Sequence, residues 1–291
     1  MNRINKTMDI WIWPLTAVLI FLALQFISQF IVDTVGFDAT MNKGMEEVDR
    51  MAKVAPWTML LSSLSTALIL CFIKPFKLFK EFRVWICDNW NALFAFIIFL
   101  LALVATTILN ELVESVFGVE MKRNIKDLFE AVVRTPVGVI AVVFIGPICE
   151  EVVFRAGMMK PMLDRNINPW IPIVTSSVIF GLVHFNMTQM INAICLGFVF
   201  AIIYYRTRSI IITTIAHILN NAATVALMLA YPDTYDQLKL ETYMGKGPMI
   251  AAFVIVLILL VVLIMYFWKN TEQYVSEFKN KNSVHPVKFI N

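Results

Sequence analysis

Glu150 and Glu151 stand side by side in the run Gly146-Pro147-Ile148-Cys149-Glu150-Glu151-Val152-Val153-Phe154-Arg155, an otherwise apolar stretch. Glu151 and Arg155 are four apart, acid before base, which is the favourable order for an ion pair on a helix. Glu150 is turned about 100° away from that pair at roughly 3.6 residues per turn and is left out of it. The two carboxylates therefore suit different work: Glu151 held ionised by Arg155, Glu150 available to take a proton from water as a general base. Pro147 lacks a backbone donor, so the helix is expected to kink just before them.

Two further pentads carry polar chemistry inside apolar runs: Phe180-Gly181-Leu182-Val183-His184 and His217-Ile218-Leu219-Asn220-Asn221. In each, the outer residues share a helix face. A lone histidine in a core helix is ordinarily structural, but here two of three histidines accompany a glutamate pair. Ionisable groups inside a bilayer are costly and are functional candidates by default.

The elements EExxxR (Glu150, Glu151, Arg155), FxxxH (Phe180, His184) and HxxxN (His217, Asn221) resemble, over about residues 140–225, the CAAX-protease and bacteriocin-processing family of intramembrane peptidases, also called the Abi family. The resemblance implies endoproteolysis of a membrane-anchored peptide or protein, with water activated by Glu150 and His184 and the oxyanion stabilised by His217 and Asn221. Arg155 would order Glu151 as support, with Phe180 beside them. The family is often called metal-dependent. Glu150, His184 and His217 could give a catalytic zinc three ligands, although no HExxH occurs and glutamate-base hydrolysis needs no metal. The metal-free mechanism is the preferred expectation.

The elements that must position these residues are membrane spans. Apolar residues make up 59% of the 291-residue chain and charged residues 15%, against about 45–50% and about 25% in a soluble domain. A helix crosses the bilayer core with about 20 mostly apolar residues, and eight such stretches occur: 11–32, 56–73, 91–110, 134–154, 168–187, 189–205, 210–230 and 248–268. The expected fold is an all-α polytopic transmembrane bundle of about eight spans with interfacial helices, forming a single membrane domain over 1–291. Residues 1–133 would hold scaffold helices, 134–230 the catalytic ones, and 231–291 the last span and a tail disordered near its end. The first stretch is too long for a leader core and lacks a small-residue cleavage site, so it reads as a retained helix.

With the N-terminus inside, 15 of 24 basic residues fall on the cytoplasmic side, so the positive-inside rule puts both termini in the cytoplasm. Segments 33–55 and 111–133 read as amphipathic interfacial helices; 76–86, with four basic residues among aromatics, suits an anionic leaflet or a solvated loop equally. The four cysteines, Cys71, Cys87, Cys149 and Cys195, show no CxxC spacing and read as reduced packing residues. A net charge of +3 gives no footprint for nucleic acid. No eukaryotic retention signal is present, so a multi-pass protein of a bacterial cell membrane is expected.

Rival readings are a catalytically silent scaffold or bacteriocin-immunity partner, which the complete motif set disfavours, and a proton-coupled transporter. Against the transporter, no pair of Gly/Pro-broken repeats occurs. Neither GxSG nor GxGD is present, so rhomboid-type and presenilin-type chemistry are not expected. One difficulty follows from depth: in an evenly spanning fifth helix, His184 lies about 13 Å from the level of Glu150 at 1.5 Å per residue. The site therefore requires the turn at 186–189 to lie inside the membrane, lining a polar cavity.

Overall fold

The computed structural model describes residues 2–35, 47–72, 89–119, 123–165, 167–232 and 234–271. The described residues form helices α1 (Asn2–Val35), α2 (Glu47–Phe72), α3 (Asn89–Phe117), α4 (Arg123–Val133), α5 (Pro136–Asp164), α6 (Trp170–Leu182), α7 (Met187–Thr207), α8 (Ile210–Ala230), α9 (Leu240–Met244) and α10 (Lys246–Asn270), with no strand among them. Seven are long and apolar enough to cross a membrane: α1, α2, α3, α5, α7, α8 and α10. The remaining apolar stretch, 168–187, holds α6, whose 13 residues rise only about 20 Å, short of the roughly 30 Å core. The protein is thus a polytopic helical bundle.

Of the interfacial helices expected, α4 is amphipathic. Its Lys126 and Glu130 lie 3.8 Å apart on one side, while Leu128, Phe129 and Val132 pack toward Val142, Val143, Val225 and Met228 on the other. Residues 47–55 continue into α2 instead of forming a separate helix. The segments 36–46 and 76–86, Cys87 and the tail beyond 271 with His285 lie outside the described residues. Cys71, Cys149 and Cys195 are free thiols.

Burial singles out α5, of whose span 61% is enclosed by neighbours, against 11% for α10. Around α5 pack Ala17 and Phe21 of α1, Leu70 of α2, Ile173 and Phe180 of α6, and Ala201 of α7. A second cluster joins Ile98 and Phe99 of α3 to Leu196 and Phe200 of α7 and Leu260 of α10. Helices α6 and α7 form a tight antiparallel hairpin. A Cβ on Gly181 would lie 2.3 Å from Ile194 Cγ1, and one on Gly197 would lie 2.8 Å from Phe180 Cδ1. Only glycine admits so close an approach.

The two ends of the bundle are tied differently. At one, Trp170 stacks on Trp268 with centroids 5.1 Å apart, and Arg206 donates to Thr271 Oγ1 at 2.6 Å and to the Trp268 carbonyl. This joins α10 to the start of α6 and the end of α7. At the other, Glu111 of α3 accepts from the Leu240 and Glu241 amides at 3.0 and 2.6 Å, capping α9. The beginning of α6 and the ends of α7 and α10 therefore share one end of the bundle.

Candidate active site

Helix α5 is not a regular α-helix. Ala141–Ile145 and Val152–Met159 are wide, π-type turns that flank the ordinary segment Gly146–Glu151. Such turns recur at functional sites. The first has a cause in the sequence: Pro147 removes a donor and its ring crowds the turn before it, and the helix responds by widening, with the Gly146 amide reaching back to the Ala141 carbonyl.

The expected pair forms. Arg155 Nε donates to Glu151 Oε2 at 3.0 Å, with both side chains fully enclosed. The other guanidinium nitrogens are also satisfied: Nη1 by Ser176 Oγ at 2.8 Å and Nη2 by the Gly197 carbonyl at 3.3 Å. Ser176 in turn donates to the Phe154 carbonyl at 3.3 Å. One buried cation thus links α5, α6 and α7, and a buried charge is tolerable only when so completely paired.

His217 on α8 stands between the two carboxylates. Its Nδ1 lies 3.3 Å from Glu151 Oε1 and its Nε2 3.6 Å from Glu150 Oε2, the second contact longer than a hydrogen bond. A proton on Nδ1 would be donated to Glu151, leaving Nε2 toward Glu150. The carboxylates differ sharply in access: the Glu151 side chain has no exposed surface, whereas that of Glu150 is 22% exposed.

Phe180 gathers the rest. Its ring meets His184 edge-on at 5.2 Å and His217 at 5.7 Å, with the Arg155 guanidinium 5.8 Å from its centroid. The shortness of α6 makes this possible: the helix ends at Leu182, so His184 sits in the turn just beyond it, where Phe185 adopts a left-handed φ of 52°. His184 Nδ1 bonds the Phe180 carbonyl at 2.8 Å, which leaves Nε2 for other partners. The structure does not join His184 to Glu150 by a hydrogen bond. Asn221 lies one turn beyond His217 but sends its Nδ2 to the Val142 carbonyl at 2.8 Å.

Four residues entered the site unannounced by sequence: Ser176, Gly197, Val142 and Asn220. Ser176 precedes Phe180 by four positions, as Phe180 precedes His184, so the three share one face. A serine inside a helix more often bonds back to its own chain, and spacing alone does not mark Ser176 as a partner of Arg155.

Residues 133–223 match the family model described as type II CAAX prenyl endopeptidase, Rce1-like. Over that stretch the chain is similar to this family. Over 132 residues it is 30% identical to YdiL of Bacillus subtilis (strain 168), named as a candidate membrane peptidase; that match takes in 45% of the chain and 54% of YdiL, so the chain spans about half of this relative. Over 228 residues it is 25% identical to the membrane-embedded CAAX protease MroQ of Staphylococcus aureus (strain USA300), covering 75% of the chain and 90% of MroQ. No solved structure matches the chain significantly. The matched region runs from the end of α4 into α8 and contains every residue of the three motifs.

The family's possible metal finds no ligand set here. Among the described residues, no three histidine, cysteine or acidic side chains converge closely enough to hold an ion.

Proposed function

We propose that the protein is an intramembrane endopeptidase that hydrolyses a peptide bond in a membrane-anchored peptide or protein. Glu150 is the general base and His184 orients the water with it; His217, which must carry a proton on Nε2 as well as the one Nδ1 gives to Glu151, and Asn221 stabilise the oxyanion. The observation that carries this reading is the contrast between adjacent carboxylates. Glu151 is sealed and paired with Arg155, while Glu150 keeps accessible surface and stands 3.6 Å from His217 Nε2. Water can reach the second carboxylate and not the first.

In the proposed reaction Glu150 takes a proton as water adds to the scissile carbonyl, and the oxygen becomes an anion. Donors already aimed at that oxygen stabilise it most when no reorganisation is needed. The Arg155, Glu151 and His217 Nδ1 chain supplies such fixity, because turning the imidazole would break contacts to a buried ion pair. Glu150 then returns its proton to the leaving amine. The reading also requires the turn at 186–189 to line a polar cavity, since α7, at 21 residues and about 31 Å, is by itself long enough to carry that turn across the roughly 30 Å core. The cytoplasmic placement of both termini rests on the basic residues. That α6 begins where α7 and α10 end is consistent with it.

The test is a comparison of purified wild type with Glu150→Gln, His184→Ala and His217→Ala on membrane-anchored peptides, with and without chelator. Each substitution is expected to lower kcat at least about 100-fold. Cleavage that survives Glu150→Gln refutes the general-base assignment, and chelator inhibition reversed by zinc replaces it with a metal mechanism.

A further inference from the structure

Pro147 leaves a debt in α5 that another helix settles. In the wide turn Ala141–Ile145 the backbone bonds run back five residues, as the Gly146 amide does to Ala141. The next bond in that register would join residue 147 to the Val142 carbonyl, and a proline has no N–H to give. A bare carbonyl among apolar helices is costly where no water can reach it, and Val142 is only 5% exposed. Its carbonyl instead accepts from Asn221 Nδ2 of α8 at 2.8 Å. Asn221 Oδ1 in turn accepts from Asn220 Nδ2 at 3.0 Å, which fixes the Asn221 amide with its nitrogen toward Val142.

We infer that Asn221 and Asn220 are positioning residues: they pin α8 to the carbonyl that Pro147 leaves bare, and so set the height of His217 against Glu150 and Glu151. One Asn221 N–H is committed to this pin, leaving one for an oxyanion. The pin and the His217–glutamate contacts are the polar ties between α5 and α8, and beyond the pin Val142 and Val143 pack with Val225 and Met228. Loss of the pin lets α8 slide or turn relative to the carboxylates. The catalytic consequence rests on the peptidase reading; the pin itself does not.

The experiment is a double-mutant cycle on the full chain in detergent, with Pro147→Ala and Asn221→Ala made singly and together and followed first by thermal unfolding. Asn221→Ala is expected to lower the melting temperature clearly with Pro147 present. In the Pro147→Ala background, where an alanine N–H can take the carbonyl, the loss should be less than half as large. Equal losses in both backgrounds overturn the pin. If Pro147→Ala does not fold, Asn221→Asp decides: it keeps the shape but presents an oxygen to Val142, and melting at the wild-type temperature overturns the inference. On a peptide that wild type cleaves, Asn220→Ala should lower kcat about tenfold, since small misplacements of reacting groups are that costly, with KM within about twofold. An unchanged kcat removes Asn220 from the positioning role. The unfolding arm needs no substrate, so it judges the pin even where the peptidase reading fails.

Discussion

Arg155→Met should damage the protein more than removing Arg155 and Glu151 together. In the single variant Glu151 loses the guanidinium 3.0 Å away and has no exposed surface through which solvent could replace it. Ser176 Oγ and the Gly197 carbonyl lose their donors at the same time. Stripping one partner from a buried ion pair costs about 3–5 kcal/mol. The double variant Glu151→Gln/Arg155→Met removes both charges of the pair, and its amide can still meet His217 Nδ1, which lies 3.3 Å from Glu151. It should recover about 2 kcal/mol relative to the single variant. Equilibrium unfolding in mixed micelles, driven by increasing SDS and read by tryptophan fluorescence, measures both. A single variant that loses under about 1 kcal/mol, the range of a surface pair, refutes the reasoning. So does a double variant no more stable than the single.

Two further outcomes can be checked in the same assay. Gly181→Val should separate α6 from α7, because even a Cβ there lies 2.3 Å from Ile194 Cγ1 and 2.8 Å from the Met190 carbonyl; a loss of about 2–3 kcal/mol is expected, with Gly181→Ala intermediate. Phe185→Gly should stabilise the protein by about 1 kcal/mol, since the residue sits at φ 52° with 77% of its surface exposed and a left-handed backbone is unfavourable for any residue with a Cβ.

Hydropathy made the long spans legible, because a helix in lipid must be apolar along its whole length. The same property misjudged the run at 168–187, where a continuous apolar stretch conceals a helix that ends at Leu182 and a turn that holds His184. Composition reports what a segment can lie against and is silent about where it bends. The Glu151–Arg155 pair could be read from spacing alone, being local to one helix. That His217 addresses both glutamates could not, because it depends on the crossing of α8 over α5. The widened turn was half visible: Pro147 announces a disturbance, and the expectation was a kink. The Val142 carbonyl beside the widened turn is taken by Asn221, 79 positions away in the sequence and invisible to local spacing.

Each wide turn of α5 holds one residue more than an ordinary turn. It is a one-residue insertion that the helix has absorbed instead of expelling into a loop. Deleting a residue between Ala141 and Ile145 would leave the span long enough and apolar enough to insert, yet it would swing Glu150 and Glu151 by about 100° away from His217. The span therefore stores the bearing of its carboxylates as a count of residues. A gene that lost a single codon there would still encode a membrane protein, with its two acids facing the wrong neighbours.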